Sequence, residues 1–326
     1  MASAASGIEA TVVIPTFNGE TYLAAVLDAI AAQRFDGAVE VLVIDSGSTD
    51  GTLEIVRARP WVRLHEIPNS EFGHGRTRNL GARMANGRLV AFLTQDAVPA
   101  SDTWLRELTR PLADPRVAGV VGRQIPRAGC FPLLKYEIQG VFRALGPDEG
   151  VTIAERAGAE PSEKALDRLA FYSDVNAATR RAFLVDDTPY RDLPYSEDTA
   201  FGRDIVRAGH RRAYAAEGAV IHSNDLTRRE YGKRIFDETT ALRRVGAVVP
   251  RVGRLGAAVR TLWGILGDSL RILRDPDYPT GRRLGWLLRN PAYQVTKWTA
   301  HRRATSVRLD DDATLRRHSL EAERTR

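Results

Sequence analysis

The strongest constraint on this chain is a regular alternation of short apolar runs with helix-like segments across residues 11–112. Residues 11–15 and 39–45 are short apolar runs that read as buried strands, and further strands are expected at 62–67 and 88–93. Between them, Tyr22, Leu23, Val26, Leu27 and Ile30 recur at helical spacing, and residues 52–58, 77–84 and about 102–112 are helix-like as well. Strands that alternate with helices imply a mostly parallel sheet with right-handed crossovers, flanked by helices. Such sheets bind ligands beyond the carboxyl ends of their strands. Asn18, Asp45 and Asp96 each follow a strand directly.

Further strands are expected at 117–122 and 219–222, regular patterning at 171–179, and a helix at 197–208 closed by Gly209. Residues 127–169 have weak periodicity and read as an irregular insertion that shapes a pocket. After Asp225 the character changes. The first 225 residues hold 25 Lys and Arg against 30 Asp and Glu, whereas the remainder holds 22 against 11, within a net charge of +6. Leu255, Val259, Leu262, Trp263, Leu266, Leu270 and Leu273 recur at helical spacing beside Arg254, Arg260, Arg271 and Arg274. This pattern fits an interfacial helix on anionic lipid, and equally a helix packed on the rest of the protein. Trp286, Tyr293 and Trp298, interleaved with Arg282, Arg283, Arg289 and Lys297, extend the theme. The expected organisation is a catalytic domain at 8–225, a basic helical region at 226–305 and a charged, loosely ordered tail at 306–326.

Several classes are excluded by what is missing. No G-x-G-x-x-G, P-loop, G-x-S-x-G or H-E-x-x-H pattern occurs. The single cysteine, Cys130, rules out an intramolecular disulfide framework and fits a reducing compartment. Residues 1–9 lack an apolar signal-peptide core, and no run reaches the length of a spanning helix. The expectation is a cytoplasmic protein, at most peripheral on the inner face of a membrane, with no nucleic-acid partner.

Taken in order, the segments Val12-Val-Ile-Pro-Thr-Phe-Asn18, Val43-Ile-Asp-Ser-Gly-Ser-Thr-Asp-Gly-Thr52, Glu71-Phe-Gly-His-Gly-Arg-Thr-Arg-Asn-Leu-Gly81, Phe92-Leu-Thr-Gln-Asp-Ala97 and Val121-Gly-Arg-Gln-Ile-Pro126 resemble family 2 glycosyltransferases of the Rossmann-like GT-A fold, in their rhamnosyltransferase-like branch. The resemblance covers residues 11–225. It implies an inverting transfer of a sugar from a dTDP- or UDP-sugar, with dTDP-rhamnose as the expected donor. The acceptor is expected to be a hydroxyl of a cell-surface or polyprenyl-linked glycan. A non-catalytic nucleotide-sugar or glycan-binding relative is the alternative.

The same resemblance assigns donor binding to Pro15, Thr16, Asn18, Asp45, Arg76, Arg78, Asn79 and Gln95. Asp45 would accept from the pyrimidine ring N–H, as an acceptor-only group can. Arg76 and Arg78, at a helix start, would suit a diphosphate. Thr94-Gln95-Asp96 stands where the family usually carries Asp-x-Asp, so Asp96 would hold Mg²⁺ or Mn²⁺, with His222 beside it. Asp198 would be the general base that deprotonates the acceptor, and Glu197 is the alternative base or an acceptor contact. Asp96 as a turn residue and His222 as a structural histidine remain the plainer readings.

Overall fold

A computed structural model describes residues 7–158 and 160–324, so residues 1–6, on which part of the signal-peptide reading rests, lie outside it. The chain divides into two compact units, 1–125 with 141–222 and 126–140 with 223–326.

The first unit is built on a nine-stranded sheet. Its strands are β1 (Ile8–Thr16), β2 (Ala38–Asp45), β3 (Val62–Glu66), β4 (Leu89–Leu93), β5 (Val98–Pro99), β6 (Val117–Ile125), β7 (Val151–Ala154), β8 (Asn176–Arg180) and β9 (Arg211–Ile221). The order is β3-β2-β1-β4-β8-β6-β9-β5, with β7 paired to β9. β3, β2, β1 and β4 are mutually parallel, as the strand–helix alternation requires. β8 then runs antiparallel to both β4 and β6, and β6 pairs parallel with β9. This is the curled, parallel-rich sheet of a GT-A fold, flanked by helices on both faces.

The central strands β1, β2 and β4 are apolar on both sides because both sides are covered. Val12, Ile14, Val41 and Val43 pack against Leu23, Val26, Leu27 and Ile30 of helix Glu20–Ala31. The alternate residues Val13, Leu42, Ile44 and Phe92 pack with Ala82, Phe201 and Ile205 on the other face, as the two-residue strand period dictates. Helix His74–Met84 lies so close to the sheet that a Cβ on Gly81 would stand 2.5 Å from Val13 Cγ1. Only glycine permits that approach.

The structure corrects three sequence expectations. The segment 127–169 is not irregular: it contains helix Pro132–Leu145, β7 and helix Glu163–Leu169. Its first part, 126–140, belongs to the second unit. The strand expected at 219–222 is the end of the eleven-residue β9.

The second unit is helical: Arg228–Arg244, Arg254–Arg274, Thr280–Ser306, Asp312–His318 and Glu321–Arg324. The first opens with a reciprocal capping box between Thr227 and Glu230. Its core joins Phe131, Leu133, Leu134, Tyr231 and Leu320, with Trp286 and Tyr293 against them. Those two aromatics are therefore packing residues and not an extension of an interfacial face. The tail expected to be loosely ordered contains the short helices Asp312–His318 and Glu321–Arg324, and Asp237 accepts from the Leu320 N–H at 2.7 Å; residues 325–326 lie outside the described part. No helix among the described residues is long and apolar enough to cross a membrane.

Candidate active site

The carboxyl ends of β1 and β2 meet in register, Thr16 opposite Asp45. Asp45 is fully buried. Its Oδ1 accepts from the Gly47 and Ser48 N–H groups at 2.9 Å each, and its Oδ2 accepts from the hydroxyls of Thr16 at 2.9 Å and Ser48 at 2.5 Å. Four donors saturate a carboxylate. Asp45 thus organises the Ser46–Asp50 turn, and contact with a base N–H requires one hydroxyl to move aside.

The two loops beyond these strands are laced together. Asn18, in the left-handed region at φ 49°, donates its N–H to Ser48 Oγ and accepts from the Thr49 N–H, both at 2.8 Å. Gln95, just past β4, accepts from the Phe17 N–H at 2.9 Å and donates to the Phe17 carbonyl at 3.0 Å. A Cβ at residue 19 would collide with Gln95 Oε1, so Gly19 is required beside this clamp. Pro15 lies within β1, paired with Ile44. Thr16, Asn18 and Gln95 stand where the sequence reading put them, yet their side chains frame the loops.

Asp96 and His222 converge from β4 and β9. His222 Nε2 lies 3.4 Å from Asp96 Oδ2. His222 is buried, and its Nδ1 faces Gln124 Oε1 at 3.0 Å. Gln124 uses its amide nitrogen on Ser173 Oγ at 3.2 Å, which leaves its oxygen for the imidazole. An amide oxygen only accepts, so this network places a proton on Nδ1; in the neutral tautomer that follows, the Nε2 lone pair faces the carboxylate. Two electron-donating atoms aimed at one another fit a cation between them. No group of three or more potential ligands is found among the described residues. The pair therefore suits a divalent ion that takes its other ligands from phosphates and water.

A second acidic group stands at the same sheet end. Val175, next to Asp174, accepts from the Thr94 N–H at 3.2 Å, which brings this segment beside Gln95 and Asp96. Asp174, Glu197 and Asp198 gather around Arg78. Arg78 Nη1 donates to Glu197 Oε1 at 2.9 Å, and its Nε lies 3.2 Å from Asp174 Oδ2. Tyr190 donates its hydroxyl to Asp174 Oδ1 at 2.6 Å. Three carboxyls share one guanidinium, so not all of them ionise easily. Burial raises the Asp174 carboxyl to about 6 despite Arg78. Burial, then the neighbouring Glu197 and Asp174, push Asp198 up to about 8. Asp198 keeps a partly open face, whereas Glu197 is buried on Arg78. The turn into this helix is strained: Ser196, its N-cap, is left-handed at φ 64° and makes no side-chain cap bond.

Two residues expected to contact the donor are engaged within the protein. Arg78 is buried on carboxylates. Asn79 pairs both ends of its amide with the Tyr190 backbone, at 2.8 and 3.0 Å, and is a framework residue. Arg76 remains half-exposed, with Asp192 a loose 3.7 Å away. Sequence reasoning missed Asp174, Tyr190 and Gln124. Of these only Gln124 stood in a segment that carries the family resemblance, 121–126, and nothing in its own position tells that it orients a histidine 98 residues later.

The family model for glycosyl transferase family 2 matches residues 11–186. The chain is similar to the O-antigen chain rhamnosyltransferase RfbN of Salmonella typhimurium, 31% identical over 70% of each chain. It is similar also to WbaN of Salmonella anatum, another O-antigen chain rhamnosyltransferase, 29% identical over 70% of each. Among solved structures, the mannosyltransferase PcManGT from Pyrobaculum calidifontis, in complex with GDP-Man and Mn²⁺, aligns over 91% of this chain and 73% of its own, at 20% identity and a TM-score of 0.50. TarS 1–349 of S. aureus in complex with UDP aligns over 91% and 90%, at 17% identity and the same TM-score. The structural matches speak for the fold alone. The family model spans the strands β1 to β4 from which the loop clamp and Asp96 emerge, and the chain belongs to glycosyl transferase family 2.

Proposed function

We propose that this family 2 transferase moves rhamnose from dTDP-rhamnose, with inversion, to a hydroxyl of a growing cell-surface glycan carried on a polyprenyl lipid. The likeness to two O-antigen chain rhamnosyltransferases supports the donor and the acceptor class. The acceptor oxygen attacks the anomeric carbon as the bond to the nucleoside diphosphate breaks on the opposite face. Asp198 takes the hydroxyl proton, which spares the acceptor a high-energy oxocation. Glu197, held by Arg78, keeps the strained turn in place and presents its neighbour. Asp96 and His222 would hold Mg²⁺ or Mn²⁺; when bound, that ion neutralises charge on the leaving diphosphate. The base N–H of the nucleotide replaces a hydroxyl donor on Asp45, and the half-exposed Arg76 turns toward phosphate.

The observation that carries this reading is the carboxyl cluster of Asp174, Glu197 and the partly open Asp198 around Arg78, at the same sheet end as a histidine–carboxylate pair. Calorimetric titration with dTDP and UDP, each with and without Mg²⁺ or Mn²⁺, tests the donor half. Metal-dependent binding of dTDP over UDP, weakened by Asp96→Ala, is the expected result. Binding of neither nucleotide under any metal condition refutes the transferase chemistry, and preference for UDP refutes the donor.

A further inference from the structure

The helical unit carries an apolar surface that its own packing leaves uncovered. On helix Arg254–Arg274, Leu255, Val259, Leu262, Trp263, Leu266, Leu270 and Leu273 are all exposed, Leu255 by 78% and Trp263 by 71%. Their spacing places them on one face of the helix over a length of about 27 Å, at 1.5 Å per residue. The neighbouring helix Thr280–Ser306 adds Leu284, Leu288 and Val295, with Leu288 exposed by 84%.

The seam between these helices lies elsewhere. Asn290 donates to the Ile265 carbonyl and to Ser269 at 3.0 Å each, and Gln294 donates to Asp268 at 2.6 Å. A Cβ on Gly264 would strike Gln294. The polar ties and the small residue fix one side of helix Arg254–Arg274 against its partner, and the leucines and Trp263 face away from it. A stripe of this size on a soluble surface marks an interaction site.

Charge identifies the partner. The two helices hold ten Lys and Arg against one acid, Asp268. Asp268 is itself paired to Arg271 at 3.3 Å and bound by Gln294. A second copy of the same face would bring the two sets of cations against each other. An anionic lipid surface satisfies both features: headgroups take the arginines and the acyl boundary takes the leucines and Trp263.

We propose that helix Arg254–Arg274 lies in the interface of an anionic bilayer, with Leu255, Leu262, Trp263 and Leu266 inserted and Arg254, Arg260 and Arg274 on phosphates. The orientation is parallel to the membrane plane, since no helix among the described residues can span it. This docking rests on exposure and charge and is independent of the sugar chemistry.

Co-sedimentation of the full chain with vesicles tests it. Vesicles of equal phosphatidylglycerol and phosphatidylcholine should pull the protein down, pure phosphatidylcholine should do so far less, and high salt should release it. The triple variant Leu262→Ser, Trp263→Ser, Leu266→Ser should lose binding, and Arg254→Gln and Arg260→Gln should each weaken it about fivefold. These side chains are exposed, so an unchanged thermal melt and unchanged nucleotide binding confirm that the variants fold. No sedimentation of the wild type, equal binding by the triple variant, or a dimer in ultracentrifugation that the triple variant abolishes would each overturn the proposal, the last in favour of a second copy.

Discussion

The raised affinity of Asp198 for its proton has a direct kinetic consequence. A general base works only when ionised, so kcat/KM should rise with pH and level off once Asp198 has lost its proton. With the carboxyl pushed up to about 8, the ascending limb should bend near there and not near the usual carboxylate range. Below that bend the rate should fall about tenfold per pH unit, so two units below it the rate should stand at about 1% of the plateau. Measuring release of free nucleoside diphosphate across the whole ascending limb, at low donor concentration and fixed metal, gives the profile directly. Asp198→Asn should lower the plateau by ~10²–10⁴ and erase the limb while nucleotide binding persists. The cause can be tested in the same assay. Asp174→Asn removes one of the nearby carboxyls that oppose ionisation, so the bend should move to lower pH. A flat profile, a bend in the ordinary carboxylate range of about pH 4, or a limb left unchanged by Asp198→Asn would refute the assignment of Asp198 as base.

The same cluster predicts a stability effect. Arg78→Met leaves Asp174 and Glu197 buried without their cation and should cost about 3–5 kcal/mol at neutral pH in denaturant unfolding. Asp174, whose folded-state proton affinity already exceeds its unfolded one, would then hold its proton more tightly still, so stability lost at high pH returns as it protonates, and the deficit should shrink toward about pH 5. An undiminished deficit at low pH would mean the loss is one of packing. Gln124→Leu removes the acceptor that holds the Nδ1 proton of His222, and metal-dependent nucleotide binding in calorimetry should weaken about 10–100-fold with the fold intact.

Sequence and structure agree best where local rules are strong. The parallel half, β3-β2-β1-β4, was legible because β1, β2 and β4 are short, apolar runs closed by turn-forming or polar residues and β3 follows a helix-like segment at the expected spacing. The mixed half was not, because β8 and β6 pair antiparallel through contacts that no period of two or 3.6 encodes. The tail misled for a related reason. Its composition is charged, but Leu315 and Leu320 supply enough apolar surface to dock short helices against a neighbour the sequence does not reveal.

The candidate site divides along the same line. Asp96, His222, Asp45 and Asp198 follow strands or open helices, so their position at the sheet end follows from topology alone. What each one bonds to does not. Arg78 and Arg76 are two residues apart on the start of one helix, and sequence gives both to phosphate. The helix turns them by about 200°, at about 100° per residue, so one points inward and the other outward. Arg78 is thereby claimed by Asp174 and Glu197, and Arg76 keeps its head in solvent. That division explains how a buried group with three carboxyls persists: a guanidinium that looked like a substrate contact is the counter-charge of Asp174 and Glu197, and the partly open Asp198 is left as the acid group with a proton to exchange.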